Sequence, residues 1–275
     1  MKKSIDIAGL LIHILLWAGL IVVAFPFVWM ILSSFKSLPD FYNFSFLPDK
    51  IDWSGYKYIF EETGYLHWYL NSIIVAVVVT VSCLIFNSLI GYVLAKYRFP
   101  GSKVIFILIL STLMIPTELL VIPWYVMGSR LHWVNTYWGL MLPGMIEAFG
   151  VFLMRQFMLS IPNDILDAAR IDGMGEFKIW WRIVLPQVKQ ALAAMGIITF
   201  LGNWNAYLWP VIATSSANMR TLPVGISLYS TADSGGIQWN TIMGMSTLAV
   251  IPMMIVFLIF QKKIVDGISL TGVKG

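Results

Sequence analysis

Six apolar stretches alternate with shorter polar segments along the chain. They fall at about 9–33, 70–95, 104–127, 136–158, 188–212 and 241–261. Each is long enough to cross a bilayer, because ~20 residues of helix span the ~30 Å hydrocarbon core. In lipid the backbone amides have to bond within their own segment, so each stretch is expected to be helical. The pattern predicts an all-α integral membrane protein with six transmembrane helices.

Composition agrees with a chain whose main solvent is lipid. Apolar residues make up 59% of the 275 positions, charged residues 12%, and the mean hydropathy is +0.80. Six spans leave no room for a large soluble domain. The single cysteine, Cys83, lies inside an apolar stretch, which excludes an internal disulfide and a cysteine metal cluster. The 3 histidines are far apart in the sequence, so no metal site is expected.

The distribution of positive charge predicts the orientation. Under a six-span topology, 13 of the 18 Lys and Arg residues lie on the side of the termini and 5 on the other side. Positive residues are retained in the cytoplasm, so both termini and the segment 159–187 are expected there. The basic residues are scattered around the spans rather than gathered in a stripe, so no nucleic-acid partner is expected. The chain is predicted to be a multi-pass protein of the cytoplasmic (inner) membrane.

Aromatic residues and prolines mark the ends and the interiors of the spans. Aromatic side chains at span ends are typical of interfacial belts, with sugar stacking as the alternative for some of them. The aromatic positions are Trp68, Tyr69, Tyr92, Tyr97, Trp133, Tyr137, Trp138 and Trp209. Kinks are expected at the prolines inside the spans, which are Pro26, Pro116, Pro123 and Pro252.

The segment 159–187 contains a helical pattern of its own. Pro162 suits a first helical turn, and Gly173 suits the left-handed residue that closes a helix. A short helix of about ten residues, a turn and a second helix from about Glu176 to Pro186 are therefore predicted. Ala168 and Ala169 would give the first helix a flat surface able to enter a protein cleft. The alternative is an amphipathic hairpin on the bilayer surface, to which Phe177, Ile179, Trp180 and Trp181 would contribute.

The spacing in this segment carries a family resemblance. The segment contains Asp167-Ala168-Ala169, then Gly173 after three residues, and 183–186 (Ile-Val-Leu-Pro) after nine more. This spacing resembles the EAA loop of permease subunits of binding-protein-dependent ABC importers. Asp167 stands where that family usually has Glu. Further motifs resemble the carbohydrate branch: 71–72 (Asn-Ser), 98–101 (Arg-Phe-Pro-Gly), 115–116 (Ile-Pro), 135–137 (Asn-Thr-Tyr), 204–205 (Trp-Asn), 209–210 (Trp-Pro), and a tail at 267–275 similar to that of the maltose-transporter G-type subunit.

The resemblance implies an architecture and a set of partners. It implies a first transmembrane helix with its extracytoplasmic connection (1–68), an ABC permease core of five helices (69–265) and a cytoplasmic tail (266–275). The partners would be a second, F-type permease, two copies of a cytoplasmic ATPase and an extracytoplasmic solute-binding protein. The extracytoplasmic segments 35–68 and Ser215 to Trp239 could both touch the binding protein; the resemblance favours Ser215 to Trp239, with a solvated connector as the alternative. The chain has no phosphate-binding loop, so it is expected to be non-catalytic and to bind no cofactor, with ATP and Mg²⁺ held by the partner ATPase.

The resemblance also assigns residues to the coupling of transport with ATP hydrolysis. It implies a cytoplasmic EAA-type coupling helix between spans 4 and 5, in the 159–187 loop. The residues expected to couple the chain to the ATPase are Asp167, Ala168, Ala169, Arg170, Asp172, Gly173, Leu185 and Pro186.

Polar residues at membrane depth leave two interpretations open. Asn203, Asn205 and Tyr207 in the fifth span are candidates for the translocation pathway, or they hold helices together. Glu118 and Glu147 are candidates for the same pathway. Acids are expensive in lipid, so these two are expected to face a bundle interior, a partner or a wet cavity, or to be protonated or hydrogen-bonded packing residues at a helix kink or subunit interface. The alternative function for these two acids is a proton relay in a proton-coupled secondary transporter.

Overall fold

A computed structural model describes residues 7–42, 45–231 and 238–269. All regular secondary structure in these residues is helical, which confirms the predicted all-α class. Residues 270–275, which hold the end of the predicted tail motif, lie outside the described residues. The described residues form two compact units. One comprises the described residues of 1–66 with those of 225–251, and the other comprises those of 67–224 with those of 252–275.

The helices follow one another with short connections. They are α1 (Ile7–Ser33), α2 (Leu38–Tyr42), α3 (Ser54–Glu61), α4 (Tyr65–Lys96), α5 (Ser102–Thr112), α6 (Thr117–Arg130), α7 (Tyr137–Met141), α8 (Ala148–Leu159), α9 (Asn163–Ile171), α10 (Glu176–Ile179), α11 (Leu185–Gln187), α12 (Lys189–Trp204), α13 (Leu208–Ala213), α14 (Leu222–Thr231) and α15 (Trp239–Ser269). The 3₁₀ turns Leu142–Gly144 and Ala217–Met219 follow α7 and α13, and the π-helix Trp180–Val184 joins α10 to α11.

Three of the apolar stretches form single long helices. Gly9–Ser33, Tyr65–Lys96 and Trp239–Phe260 are each long and apolar enough to cross a membrane. They coincide with the first, second and sixth predicted spans. Three further helix pairs have enough apolar length only when the two members are taken together. By length and composition, the described residues therefore contain three helices able to cross a membrane, or up to six such spans if each bent pair counts as one.

All three pairs are bent, and the sequence predicted a kink in only the first of them, at Pro116. Ser102–Thr112 and Thr117–Arg130 meet at 100°, so the third predicted stretch is two helices rather than one. Tyr137–Gly144 and Ala148–Leu159 meet at 43°, and Glu176–Gln187 and Lys189–Trp204 meet at 85°. The fifth predicted stretch, 188–212, is also interrupted, because α12 ends at Trp204 and α13 begins at Leu208.

Proline has different effects at different positions. Pro116 precedes α6 in an extended conformation, with ψ at 132°, and lies at the sharpest bend. A proline disfavours helical backbone in the residue before it and has no N–H to donate, so a helix readily ends there. Pro26, Pro123 and Pro252 lie inside α1, α6 and α15, which continue through them.

The smaller unit is assembled around α3 and the beginning of α15. Ile59 of α3 is fully buried, and a Cβ on Gly244 would lie 2.9 Å from its Cδ1. The hydroxyl of Tyr65 donates to the carbonyl of Met245 at 2.9 Å. Lys36 is buried as well, with its ammonium 4.6 Å from the ring centre of Trp29.

The larger unit has its main apolar core at one end of α4. The core collects residues from α4, α8, α9, the π-helix and α12. Its buried members are Tyr92, Met154, Met158, Ile161, Leu166, Ala169, Ile179, Trp180, Val184, Val188, Ala191 and Met195. At this end α4 and α8 touch through their backbones, because a Cβ on Gly91 would lie 2.7 Å from Cβ of Met154 and 2.9 Å from the backbone nitrogen of Arg155.

Gly91→Ala is expected to destabilise the protein. The added methyl collides with backbone, which cannot rotate away, and overpacking of this kind costs about 1–3 kcal/mol. Gly202→Ala is the matched control, since it also lies in a helix and a Cβ there meets nothing within 4 Å. Thermal unfolding of the purified protein in detergent should give a lower Tm for Gly91→Ala and an unchanged or higher Tm for Gly202→Ala. Equal Tm values for the two variants would contradict the close contact.

Candidate functional site

The segment between α8 and α12 begins with a short helix and a tight turn, as predicted. Pro162 is extended, with φ at −60° and ψ at 137°, and α9 follows it for 9 residues. The chain reverses at Gly173, whose φ of +76° lies in the left-handed region that favours glycine. The amide of Gly173 donates to the carbonyl of Arg170 at 3.0 Å, and the amide of Met174 donates to Ala169 at 3.0 Å. These bonds satisfy carbonyls that the end of a helix leaves unpaired.

One face of α9 is buried and the opposite face is exposed. Leu166 and Ala169 lie in the apolar core, each 5% exposed or less. Asp167 and Ala168 are exposed, and so are residues 171–173 at the end of the helix. The expectation that both alanines form a flat outer surface is therefore wrong for Ala169, which packs into the apolar core. Ala168 is the alanine that a partner can touch.

The second helix of the segment is irregular. It begins as α10, continues as the π-helix from Trp180 to Val184, and ends with α11, in which Leu185 is half-buried and Pro186 is exposed. The aromatic and apolar residues proposed for a membrane-surface hairpin separate into two groups. Ile179 and Trp180 are buried in the core, whereas Phe177 and Trp181 are exposed. A π-turn inserts one extra residue, which rotates the side chains that follow it.

A charge network joins α9 to the residue that begins α10. Arg170 donates from Nε to Glu176 Oε1 at 2.7 Å and from Nη2 to Glu176 Oε2 at 3.4 Å, and its Nη1 donates to Asp167 Oδ1 at 2.6 Å. Tyr92 of α4 donates its hydroxyl to Glu176 Oε2 at 2.8 Å. The hydrogen bonds from Arg170 lower the pKa of Glu176 to about 2, so this carboxylate is ionised at neutral pH.

A second polar contact holds the other end of α9. Lys96, the last residue of α4, donates its ammonium to the carbonyl of Ile161 and to Oδ1 of Asn163, the latter at 3.2 Å. Sequence reasoning missed Lys96, Tyr92 and Glu176 as functional candidates. Tyr92 was predicted to lie in an interfacial belt, and this is wrong, because it is 2% exposed. Trp68 is likewise buried, and its indole donates to the carbonyl of Ala217 at 3.1 Å.

Two of the predicted pathway residues, Glu147 and Asn203, belong to a polar cluster between α4, α8 and α12. Glu147 lies just before α8, and its backbone amide donates to Oδ1 of the fully buried Asn87 at 3.2 Å. The carboxyl of Glu147 is hydrogen-bonded to Thr199. Asn203, one turn further along α12, donates to the carbonyl of Thr199 at 2.9 Å. A Cβ on Gly144 would lie 3.5 Å from Oδ1 of Asn203.

The other predicted pathway residues lie at the surface of the described chain. Glu118 is exposed in the first turn of α6. Asn205 is exposed and donates to the carbonyl of Leu201 in α12 at 2.8 Å. Tyr207 is 44% exposed, just before α13. Within 7–42, 45–231 and 238–269, His, Cys, Asp and Glu side chains form no group of three or more that could hold a metal ion.

Comparison with known proteins identifies the family. The model of the binding-protein-dependent transport system inner membrane component matches residues 87–269. The arabinooligosaccharides transport system permease protein AraQ of Halalkalibacterium halodurans is 36% identical in an alignment that covers 92% of each chain. The sn-glycerol-3-phosphate transport system permease protein UgpE of Yersinia pestis bv. Antiqua is 34% identical in an alignment that covers 97% of each chain.

A solved structure shares the fold. A chain of a bacterial ABC transporter involved in the import of the acidic polysaccharide alginate matches with a TM-score of 0.84 at 24% identity, covering 95% of this chain and 99% of that chain. None of these matches supports a proton-coupled secondary transporter. The chain belongs to the family of binding-protein-dependent transport system inner membrane components, as a permease subunit of an ABC importer in the cytoplasmic membrane.

Proposed function

We propose that the chain forms half of the translocation pathway for a carbohydrate or a glycerol-phosphate-like solute, and that α9 is the helix through which a partner ATPase drives it. The observation that carries the proposal is the construction of α9, which is anchored in a buried core on one face and open on the other. The substrate class rests on the relatives named for arabinooligosaccharides and for sn-glycerol-3-phosphate.

The proposed topology has six spans with both termini in the cytoplasm. It counts the α5–α6 pair, the α7–α8 pair and the stretch 188–212 as one crossing each, together with the three unbroken helices, and leaves Glu176–Gln187 in the cytoplasm. The excess of Lys and Arg on the side of the termini supports this orientation. α9 then lies in the cytoplasm, where an ATPase reaches it.

The proposed assembly contains a second, F-type permease, two ATPase subunits and an extracytoplasmic solute-binding protein. The chain does no chemistry, and ATP and Mg²⁺ belong to the ATPase, since the sequence has no phosphate-binding loop. On α9 the ATPase would meet Ala168, Ile171 and Asp172, all of them exposed. Exposed apolar side chains on a cytoplasmic helix are typical of a protein contact, and Ile171 is 86% exposed.

The solute-binding protein is proposed to contact the extracytoplasmic segment from Ser215 to Trp239, of which 232–237 lie outside the described residues. The beginning of this segment is held in place by side-chain hydrogen bonds. Asn71 donates to the carbonyls of Asn218 and Arg220 at 2.7 and 2.9 Å, and the amide of Ser215 donates to Oδ1 of Asn135 at 3.0 Å. A surface fixed in this way loses little conformational freedom on binding.

The proposal is tested by reconstituting the chain with its ATPase, its second permease and its binding protein in vesicles. Uptake of arabinooligosaccharides and of sn-glycerol 3-phosphate should be compared with and without ATP. Saturable uptake of either class that requires both ATP and the binding protein supports the proposed function. Uptake that proceeds on a proton gradient without ATP would refute it.

Gly173→Val is expected to abolish transport while the complex still assembles. A Cβ on Gly173 meets nothing within 4 Å, so the effect arises from the backbone, whose left-handed conformation costs roughly 1–2 kcal/mol for other residues. Gly173→Asn should retain more activity, since Asn tolerates this conformation. Gly175→Ala is the control in the same loop, where the space is also open and φ is −70°. Wild-type uptake and substrate-stimulated ATPase activity in Gly173→Val would contradict the role of this turn.

Glu147→Gln should keep most of the ATP-dependent uptake, and Glu147→Leu should lose it. The structure uses Glu147 as a hydrogen-bonding group at a helix break, and an amide replaces a carboxyl in that role. A proton relay requires an ionisable side chain, which Gln does not provide. Uptake by the two variants should be measured at equal amounts of protein in the membrane. Equal loss of uptake in both variants would contradict this prediction and support Glu147 as a proton carrier.

A further inference from the structure

The cytoplasmic end of α4 contacts α9 at both of its ends. Lys96 binds the beginning of α9 through the carbonyl of Ile161 and the side chain of Asn163. Tyr92 binds the far end indirectly, through the carboxylate of Glu176, which holds Arg170. Tyr92 and Lys96 are four residues apart in a helix, so they lie one turn from each other on the same face of α4.

Apolar packing fills the space between the two polar contacts. Leu166 and Ala169 lie on α9 between Asn163 and Arg170, and both belong to the buried cluster that contains Tyr92. The guanidinium of Arg170 also lies 5.9 Å from the ring centre of Tyr97, just beyond the end of α4. α9 is therefore fixed at its beginning, along its buried face and at its end.

We propose that Tyr92, Lys96, Arg170 and Glu176 form a clamp that makes α9 and α4 a single rigid body, so that any displacement of α9 by the ATPase moves the α4 span with it. The inference rests on the proposed role of α9 as the coupling helix. It assigns Tyr92, Lys96 and Glu176 as positioning residues, because they act through α9 and not on solute or ATP.

α4 is suited to carry such a movement through the membrane. It is an unbroken helix of 32 residues, which corresponds to about 48 Å at 1.5 Å per residue. The α5–α6 pair and the chain from α10 to α12 bend by 100° and 85° instead. A displacement applied at one end of an unbroken helix reaches the other end, whereas a bent connection absorbs part of it by changing its angle.

The ion pair in the clamp orients α9 more than it stabilises the fold. The side chains of Arg170 and Glu176 are 35% and 43% exposed, and pairs with this much solvent contribute little to the free energy of unfolding. Three donors converge on the Glu176 carboxylate, two from the planar fork of Arg170 and one from Tyr92. Such an arrangement restricts the angle between the groups as well as their distance.

The first test measures whether α9 and α4 move together. Spin labels are placed at Val93→Cys on α4 and Asp164→Cys on α9, both exposed, in the assembled transporter; the native Cys83 is fully buried. Pulsed electron paramagnetic resonance should give one narrow distance distribution, unchanged between the nucleotide-free and ATP-bound states. In the background Tyr92→Phe with Glu176→Gln the distribution should broaden. A distance that changes with nucleotide in the parent protein would overturn the rigid-body inference.

The second test measures solute transported per ATP hydrolysed. Glu176→Gln and Tyr92→Phe should lower this ratio, because ATP hydrolysis would then displace α9 without moving α4 by the full amount. The matched controls are Asp164→Asn, a carboxyl-to-amide change on the same helix, and Tyr125→Phe, an exposed tyrosine of α6; both should leave the ratio unchanged. An unchanged ratio in the clamp variants would overturn the clamp.

The two proposals fail in different ways. Cross-linking from Ala168→Cys, on the exposed face of α9, to the ATPase reports docking alone. If the cross-link forms and the clamp variants keep a normal transport ratio and a narrow label distance, the clamp is wrong and the coupling role of α9 stands. If the cross-link does not form in the active parent complex, the coupling role of α9 fails and the clamp fails with it.

Discussion

The fold depends on the need to pair every backbone amide inside a lipid environment. A straight helix meets this need by itself, but each bend leaves amides and carbonyls that need other partners. Before α6 the chain closes with short-range bonds, such as the amide of Ile115 to the carbonyl of Thr112 at 3.1 Å, and then places Pro116, which has no amide hydrogen. Before α8 the amide of Glu147 finds Oδ1 of Asn87. The positions of the bends are therefore positions where such partners exist.

The same requirement brings polar side chains into the interior of the larger unit. Asn87 is fully buried because it supplies the acceptor that the break before α8 requires, and Gly150 has no side chain because a Cβ there would lie 2.2 Å from the Asn87 amide nitrogen. Thr199 and Asn203 extend this polarity along α12. A permease needs both a continuous apolar exterior and a polar interior. A broken helix provides polar groups in the interior without disturbing the apolar exterior.

The apolar stretches and the turn at Gly173 could be predicted from the sequence, because both depend on local chemistry: hydropathy in one case and a left-handed backbone in the other. The bend angles could not, since Pro116 ends a helix without fixing the direction of the next one. The burial of Tyr92 and Ala169 could not be predicted from the sequence either. Hydropathy measures the free energy of leaving water, and it does not distinguish a lipid neighbour from a protein neighbour. The hydrogen bond of Tyr92 was also hidden, because it joins residues that are 84 positions apart.

The close approach at Gly91 fixes the distance between α4 and α8 at this end of the larger unit. The atoms nearest to a Cβ on Gly91 would be Cβ of Met154 and backbone atoms of α8, so no side-chain rotamer can lengthen or shorten that distance. Two helices in such contact keep their spacing while the angle between them changes. Gly91 is next to Tyr92, so a force delivered through α9, as proposed above, would act close to this point. A small rotation of α4 about it would become a displacement that increases with distance along the helix and is largest at the far end of α4.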